Sequence, residues 1–321
     1  MASPTDKMTK SGPVVRSADP VAIFGGPYSN LEATRAFYDE MVRRGISPDR
    51  IVCTGDIIAY GADASATLAL VRASGCHVVM GNVEENLAAG AADCGCGFEE
   101  GSTCDRLSAV WFAHAASQLS LDDRVWMAGL SRQIELAIGP YRFAVLHGGV
   151  DNINRLVFAS TDAATKRQQL DEAGMDGVIG GHCGLPFTQS VGGRLWHNSG
   201  AVGMPANDGT ARVWYSIFRP EAAGGVAIEH RALGYDQASA AAKMRHVGLS
   251  EYAEALGSGI RVDADTLPPP EQRMRGVALE EGRVLWKPDS AEQRIERIDC
   301  RPLWPIVAEE HVRDRATISS H

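Results

Sequence analysis

The chain of 321 residues contains no apolar run as long as a membrane span, no excess of basic residues and no internal repeat. Without a run of about 20 apolar residues, a transmembrane helix is excluded as an expectation. The N-terminal stretch MASPTDKMTKSGPVVRSADP has basic residues but no apolar core segment. No signal peptide is therefore expected, and the cytoplasm is the expected compartment. A formal net charge of −9 argues against nucleic acid as a partner, because phosphate-backbone binding needs a basic face. It leaves room for small anionic substrates, which a metal ion attracts locally. Seven cysteines are an odd number, and in that compartment they are expected as buried thiols or ligands rather than disulfides.

What is present is ordinary material for a globular core. Hydrophobic residues make up 45% and charged residues 22%, on a length that suits one large domain or two small ones. Strand and helix patterns alternate from the start. Val21–Phe24 is a short apolar run, and Leu31–Arg44 has helical spacing with Gly45 as its stop. RIVC (50–53) and HVVM (77–80) are two further strands, with a helix over 64–74 between them. A Gly- and Cys-rich loop, AADCGCGFEEGSTC (91–104), follows. Helices are expected over 107–119, 122–130 and 161–173, and a hairpin joins QIELAI to YRFAVL. GVIG, RLWHNS and ARVWYSIF are later strands, VAIEHRAL is an expected edge strand, and helices near 236–246 and 249–257 close the compact part. The expected organisation is a flexible tail over 1–18, a main domain over 19–262 with 91–104 as a loop insert, and an extension over 263–321 that wraps the surface or mediates homo-oligomer formation.

The first turn, GGPYSN (25–30), carries no carboxylate, histidine or lysine, although a first catalytic motif commonly sits there in an α/β sheet. The polar residues lie after other apolar runs: Gly55-Asp56, Gly81-Asn82-Val83-Glu84, His147-Gly148-Gly149 and Gly181-His182-Cys183-Gly184. Ligands of open α/β sheets bind beyond the carboxyl ends of strands. One carboxylate, one amide oxygen and two imidazoles suit a divalent ion of the Mn, Fe or Zn type. Singly, each is a common turn or structural residue; their order along the chain is the specific signal.

That order resembles the calcineurin-like metallophosphoesterases, especially their small prokaryotic branch. The family pattern runs D-x-H, G-D, G-N-H-[D/E], H and G-H-x-H. The matching stretches here are GGPYSNLEA (25–33), CTGDIIAYG (53–61), MGNVEENL (80–87), VLHGG (145–149) and GGHCG (180–184), with HNSGAVGMP (197–205) similar to a later family turn. The resemblance spans roughly residues 20–260. It implies a four-layer α/β/β/α sandwich with mixed sheets and a metal site at one edge. It also implies that Asp56, Asn82, His147 and His182 hold one ion. The family's second ion would need ligands at Gly26, Tyr28 and Gly184, and none of these is a ligand. Val83 stands where the family often has a histidine.

Three readings follow. A one-ion hydrolase of a small phosphorylated metabolite or nucleotide would use the retained site, because a single ion polarises a phosphoryl oxygen and lowers the pKa of a bound water. Tyr28, Asn82 and Arg155 are its candidate substrate contacts, and Ser29 with the backbone N–H groups near Asn30 is a candidate anion site. A second reading has Cys183, Cys94, Cys96 and Cys104 rebuild the missing half as a thiolate or Fe–S centre. A third is a non-hydrolytic binder of a phosphorylated ligand, acting as a regulator. Bland roles accompany each candidate: Tyr28 as a ring filling vacated space, Arg155 in a surface salt bridge, His197 in a structural hydrogen bond, and Glu84, Glu85, Glu99 and Glu100 facing solvent.

Overall fold

The computed structural model describes residues 12–95, 103–288 and 296–299, with the side chains of 103–105 and 296–299 outside that description. The strands in chain order are β1 (Val14–Ser17), β2 (Val21–Phe24), β3 (Ile51–Cys53), β4 (His77–Val78), β5 (Gln133–Ile138), β6 (Tyr141–Leu146), β7 (Gly177–Gly180), β8 (Pro186–Val191), β9 (Arg194–Ser199), β10 (Val213–Pro220), β11 (Val226–Leu233), β12 (Gly282–Trp286) and β13 (Glu296–Asp299). The α-helices are α1 (Leu31–Arg44), α2 (Ala64–Ser74), α3 (Asn82–Ala89), α4 (Thr103–Gln118), α5 (Leu121–Ala128), α6 (Ala163–Ala173), α7 (Gln237–His246), α8 (Ser250–Ser258) and α9 (Pro269–Arg273). One sheet runs β1-β5-β6-β7-β9-β8 and the other β13-β12-β11-β10-β2-β3-β4.

Strand β2 shows why two sheets form. All four of its residues are buried, and they divide by the two-residue period of a strand. Val21 and Ile23 join Val52, Phe218 and Ile228 against Ile134, Phe143, Val145 and Ile179 of the other sheet. Ala22 and Phe24 face the opposite way, onto Phe37 and Met41 of α1, Leu68 of α2 and Met244 of α7. The outer face of the six-stranded sheet buries Leu146, Val178 and Trp196 beside Leu170 of α6. The result is the expected α/β/β/α sandwich with mixed sheets.

Helix α1 begins and ends as its sequence dictates. The Asn30 side chain accepts a hydrogen bond from the Ala33 N–H, and Gly45 closes the helix in the left-handed conformation. The last-turn Val42 is exposed, because the buried stripe runs through Phe37 and Met41.

Three expectations need correction. Residues 14–17, placed in a flexible tail, form β1, which pairs in parallel with β5. Val15 is buried between the sheets, and this contact orders the segment. VAIEHRAL is not an edge strand: β12 pairs antiparallel with β11 and buries Trp286. The stretch expected as an extension thus supplies strands to the main sheet. Strand β8, PFTQSV, was not expected at all, because its leading proline and mixed polarity hide it; it lies at the sheet's edge, where proline is tolerated. Among the described residues, no helix is long and apolar enough to cross a membrane.

A buried polar chain stitches the sheets. Thr188 Oγ1 lies 2.8 Å from His197 Nδ1 and 2.7 Å from His230 Nε2, and His197 Nε2 lies 2.8 Å from Ser216 Oγ. His197 therefore has the structural role. Burial pushes His230 down to about 3, and burial with the neighbouring His230 pushes His197 well below its usual value of 6.5. In the unfolded chain both rings take a proton near pH 6.5, whereas the folded rings stay neutral. Stability is therefore complete above that pH and is lost as the pH falls toward 3. Each ring is expected to remove about 1.4 kcal/mol between pH 7.5 and 5.5. His230→Gln should shrink the wild-type drop in urea-unfolding free energy across that interval by about this amount.

Candidate metal centre

Five strand ends bring the site together. Strands β2, β3 and β4 are parallel in one sheet, and β6 and β7 are parallel in the other, so their carboxyl ends meet at one edge. Asp56 follows β3, Asn82 opens α3 just after β4, His147 follows β6 and His182 follows β7.

The side chains converge on one point. His147 Nε2 lies 2.9 Å from His182 Nδ1, 3.0 Å from Asn82 Oδ1 and 3.3 Å from Asp56 Oδ2. His182 Nδ1 is 3.9 Å from that same carboxylate oxygen. Among the described residues, Asp56, His147 and His182 form a cluster able to hold a metal ion. For ligand bonds of about 2.1 Å, tetrahedral and octahedral shells place neighbouring donors about 3.0–3.4 Å apart. The observed separations bracket that range. The donors themselves are oxygens and imidazole nitrogens, which suits a borderline divalent ion.

Supporting bonds aim these ligands. His147 Nδ1 is 2.7 Å from the Thr54 carbonyl, which can only accept, so Nδ1 carries the proton and Nε2 turns its lone pair to the centre. Asn82 Nδ2 donates to the Cys94 carbonyl at 2.9 Å, which points Oδ1 the other way. Asp56 holds a left-handed φ of 55°, a conformation that costs energy outside glycine. Glu84 stabilises it: its carboxylate accepts the N–H groups of Asp56 at 2.8 Å, Gly81 at 3.0 Å and Ile58 at 3.2 Å. Glu84 is fully buried, contrary to the solvent-facing role expected for it. Its place at the third residue of α3, after Gly81, was the signal available.

Burial alone would raise the Asp56 carboxyl; His147 and then His182 outweigh it and hold it below its ordinary value. Burial works against a charged His147 too, and Asp56 reverses the sign, so its pKa is raised. His182 goes down to about 3, through burial and then repulsion from His147. Without an ion, Asp56 thus favours a second proton on His147, at the Nε2 atom that otherwise offers a lone pair, while burial keeps His182 neutral. A divalent ion is the natural replacement for that proton.

The second half-site is filled rather than open. The Tyr28 ring lies over Gly26, so a Cβ there would come within 2.3 Å of it. A Cβ on Gly184 would meet Arg261 Nη1 at 3.0 Å and the Tyr28 hydroxyl at 3.3 Å. Tyr28 is buried at φ 49°, 4.9 Å from the Tyr60 ring by centroids, and its N–H donates to the Asp56 carbonyl at 3.2 Å. Burial first, then neighbouring Tyr60 and Asp56, keeps its phenol protonated well above the usual range.

Other candidates fall away from the centre. Cys183 packs with Leu146, Leu185 and Trp196 on the outer face of the sheet, and burial pushes its thiol up to about 11. Cys94 is disulfide-bonded, which removes its thiol as a ligand and contradicts the expectation of thiols throughout. Its contribution is the carbonyl on Asn82. Cys96 and the Cys104 side chain lie outside the described residues. Arg155 is committed to Asp151, at 2.5 Å. Backbone donors proposed for an anion are already used: Ser29 N–H bonds the Ile57 carbonyl and Asn30 N–H the Pro27 carbonyl. Sequence reasoning also missed Arg261 and Asp263, which arrive from beyond α8 with no local motif to announce them.

Comparison with known proteins places the chain in a family and agrees with the fold. Residues 22–218 match the calcineurin-like phosphoesterase superfamily domain. An uncharacterized protein of Methanocaldococcus jannaschii is 39% identical over 62 residues, which is 19% of this chain and 25% of that protein. The match thus spans only a quarter of that relative's length. A metallophosphoesterase from Sphaerobacter thermophilus superposes with a TM-score of 0.58 at 22% identity, covering 76% of this chain and 100% of its own. A hypothetical protein from Pyrococcus horikoshii does so with a TM-score of 0.62 at 14% identity, covering 76% and 99%. At such identities these two structures speak for the fold.

Proposed function

The chain belongs to the calcineurin-like phosphoesterase superfamily, and on that premise we propose that it is a metal-dependent hydrolase of a small phosphorylated metabolite or nucleotide. The substrate is a phosphomonoester or phosphodiester. One observation carries this reading: four lone-pair atoms, from Asp56, Asn82, His147 and His182, point at a common centre with their other sides bonded outward or buried. A divalent ion of the Mn, Fe or Zn type, one per chain, would polarise a phosphoryl oxygen there and lower the pKa of a water.

The chain's own residues do the rest. Asp56 supplies the negative charge of the ligand set, fixed by the three N–H groups that anchor Glu84. His147 and His182 give neutral donors, and the Thr54 carbonyl keeps the His147 tautomer constant. Asn82 completes the set without adding charge, so the centre keeps a net positive field for an anionic substrate once an ion is held. Tyr28, protonated and beside Asp56, offers an O–H to a substrate oxygen.

The test is turnover of a panel of phosphomonoesters, phosphodiesters and nucleotides by protein loaded with Mn, Fe or Zn. The expected result is hydrolysis of at least one class, abolished by chelation and restored by the ion. A second reading, a non-hydrolytic phospholigand binder, is favoured by the three replaced ligand positions, Gly26, Tyr28 and Gly184. It predicts no turnover above a His147→Ala control in any class.

A further inference from the structure

An organic cation lies against Cys183 and Gly184, the two residues that follow His182. Arg261 has only 14% of its side chain exposed. Its Nε and Nη2 donate to the two Asp263 oxygens at 2.8 and 2.7 Å, and its Nη1 donates to the Cys183 carbonyl at 2.8 Å. Cys183 directly follows the ligand His182. A guanidinium has five N–H groups, so two remain, one on each terminal nitrogen. Nη1 and the Tyr28 hydroxyl both surround the Gly184 Cβ position, two residues past His182.

We propose that Arg261, with Tyr28, is a phosphoryl-oxygen binding site that stands beside the metal centre in place of a second ion. This rests on the hydrolase reading for its ligand, a phosphoryl group, but not for its geometry. The arrangement has the parts such a site needs. The guanidinium is held in one orientation by a bidentate carboxylate and a carbonyl, so little freedom is lost on binding. Its spare N–H groups and the Tyr28 O–H are donors, and a phosphoryl oxygen only accepts. A cleft lined by Tyr28, Tyr60, Tyr252, Met204, Arg261 and Asp263 leads to it, with about 30 Å³ that water-sized molecules can occupy. That holds about two waters, which a phosphoryl group's oxygens would replace. Asp263 balances the Arg261 charge in the free protein. Among the described residues it is the one carboxylate bonded to the guanidinium, and it binds on the side away from the Cys183 carbonyl.

The test uses inorganic phosphate as the probe, titrated calorimetrically into the ion-loaded protein, with metal content measured for every variant. Arg261→Gln paired with Asp263→Asn removes the ion pair as a unit, and Arg261→Lys keeps the charge but loses the fork. The expected result is one ion per chain in all three proteins, with phosphate affinity lower by about tenfold or more in the double variant and by less in Arg261→Lys. Tyr28→Phe should lower it by about threefold. A merely structural Arg261 would lower the melting temperature without moving the phosphate dissociation constant. The inference is overturned if the double variant binds phosphate as tightly as wild type, if wild type binds none, or if wild type holds two ions. Should the double variant not fold, unchanged affinity in Arg261→Lys and Tyr28→Phe overturns it equally. Turnover with unchanged phosphate affinity leaves the hydrolase reading standing and this one fallen. Phosphate bound through Arg261 without turnover does the reverse.

Discussion

Alanine at His147 is expected to leave less than about a tenth of an ion per chain and to lower phosphoester turnover by about a thousandfold or more, since a first ligand outweighs the 10- to 100-fold effects of its outer supports. The reason is position. His147 Nε2 is the atom nearest to all three other donors, at 2.9, 3.0 and 3.3 Å. Its ring also joins the two sheets, through Nδ1 on the Thr54 carbonyl after β3. Removing it deletes one ligand and takes from the buried Asp56 carboxylate its nearer imidazole partner, leaving the neutral His182 at 3.9 Å. Elemental analysis and chelator competition measure the first effect. Thermal unfolding gives an independent reading, because an ion at a hundred times its dissociation constant stabilises wild type by about 2.7 kcal/mol. That ion-dependent gain should vanish in His147→Ala, and unchanged ion content and turnover in the variant would sink the centre.

The convergence of the four candidate ligands was legible in the sequence because each follows an apolar run and sits next to a glycine or at a helix start. Strand ends and close backbone approach leave that local mark. Tyr28 was legible as a position, and its role as a filler of Gly26's space follows from a short loop. Glu84 was misread, since one of two adjacent glutamates in GNVEEN looks like any exposed helix residue. Its burial depends on Asp56 and Ile58 backbone groups that lie 26 to 28 residues earlier. Arg261 was invisible for a stronger reason. Its neighbours Cys183 and Tyr28 are 78 and 233 residues away, and no periodicity encodes such a meeting. Strands β1 and β12 were missed on similar grounds. Each is short, and each becomes a strand only because a sheet edge is present to pair with it.

Those close backbone approaches carry the last large effect. Gly55 lies between β3 and Asp56 at φ +95°, and a Cβ there would stand 2.8 Å from Gly81 N, 2.9 Å from Gly81 Cα and 2.9 Å from His147 Nδ1. Two of these atoms are backbone and the third is fixed on the Thr54 carbonyl, so none yields easily. Gly45, the cap of α1, has φ +66° and nothing within 4 Å of its Cβ position. It isolates the conformational term. Gly45→Ala is expected to cost about 1 kcal/mol, the penalty of a left-handed alanine. Gly55→Ala adds to that strain an overlap of the kind that costs about 1–3 kcal/mol in a packed interior, for a total near about 3 kcal/mol. The overlap also pushes His147 away from Asn82, so the ion-dependent stabilisation should fall in Gly55→Ala and persist in Gly45→Ala. Urea unfolding of both variants, with and without the ion, separates the two terms. Equal costs in the two variants would mean that the β3 turn and the His147 ring do not approach as closely as the ligand geometry requires.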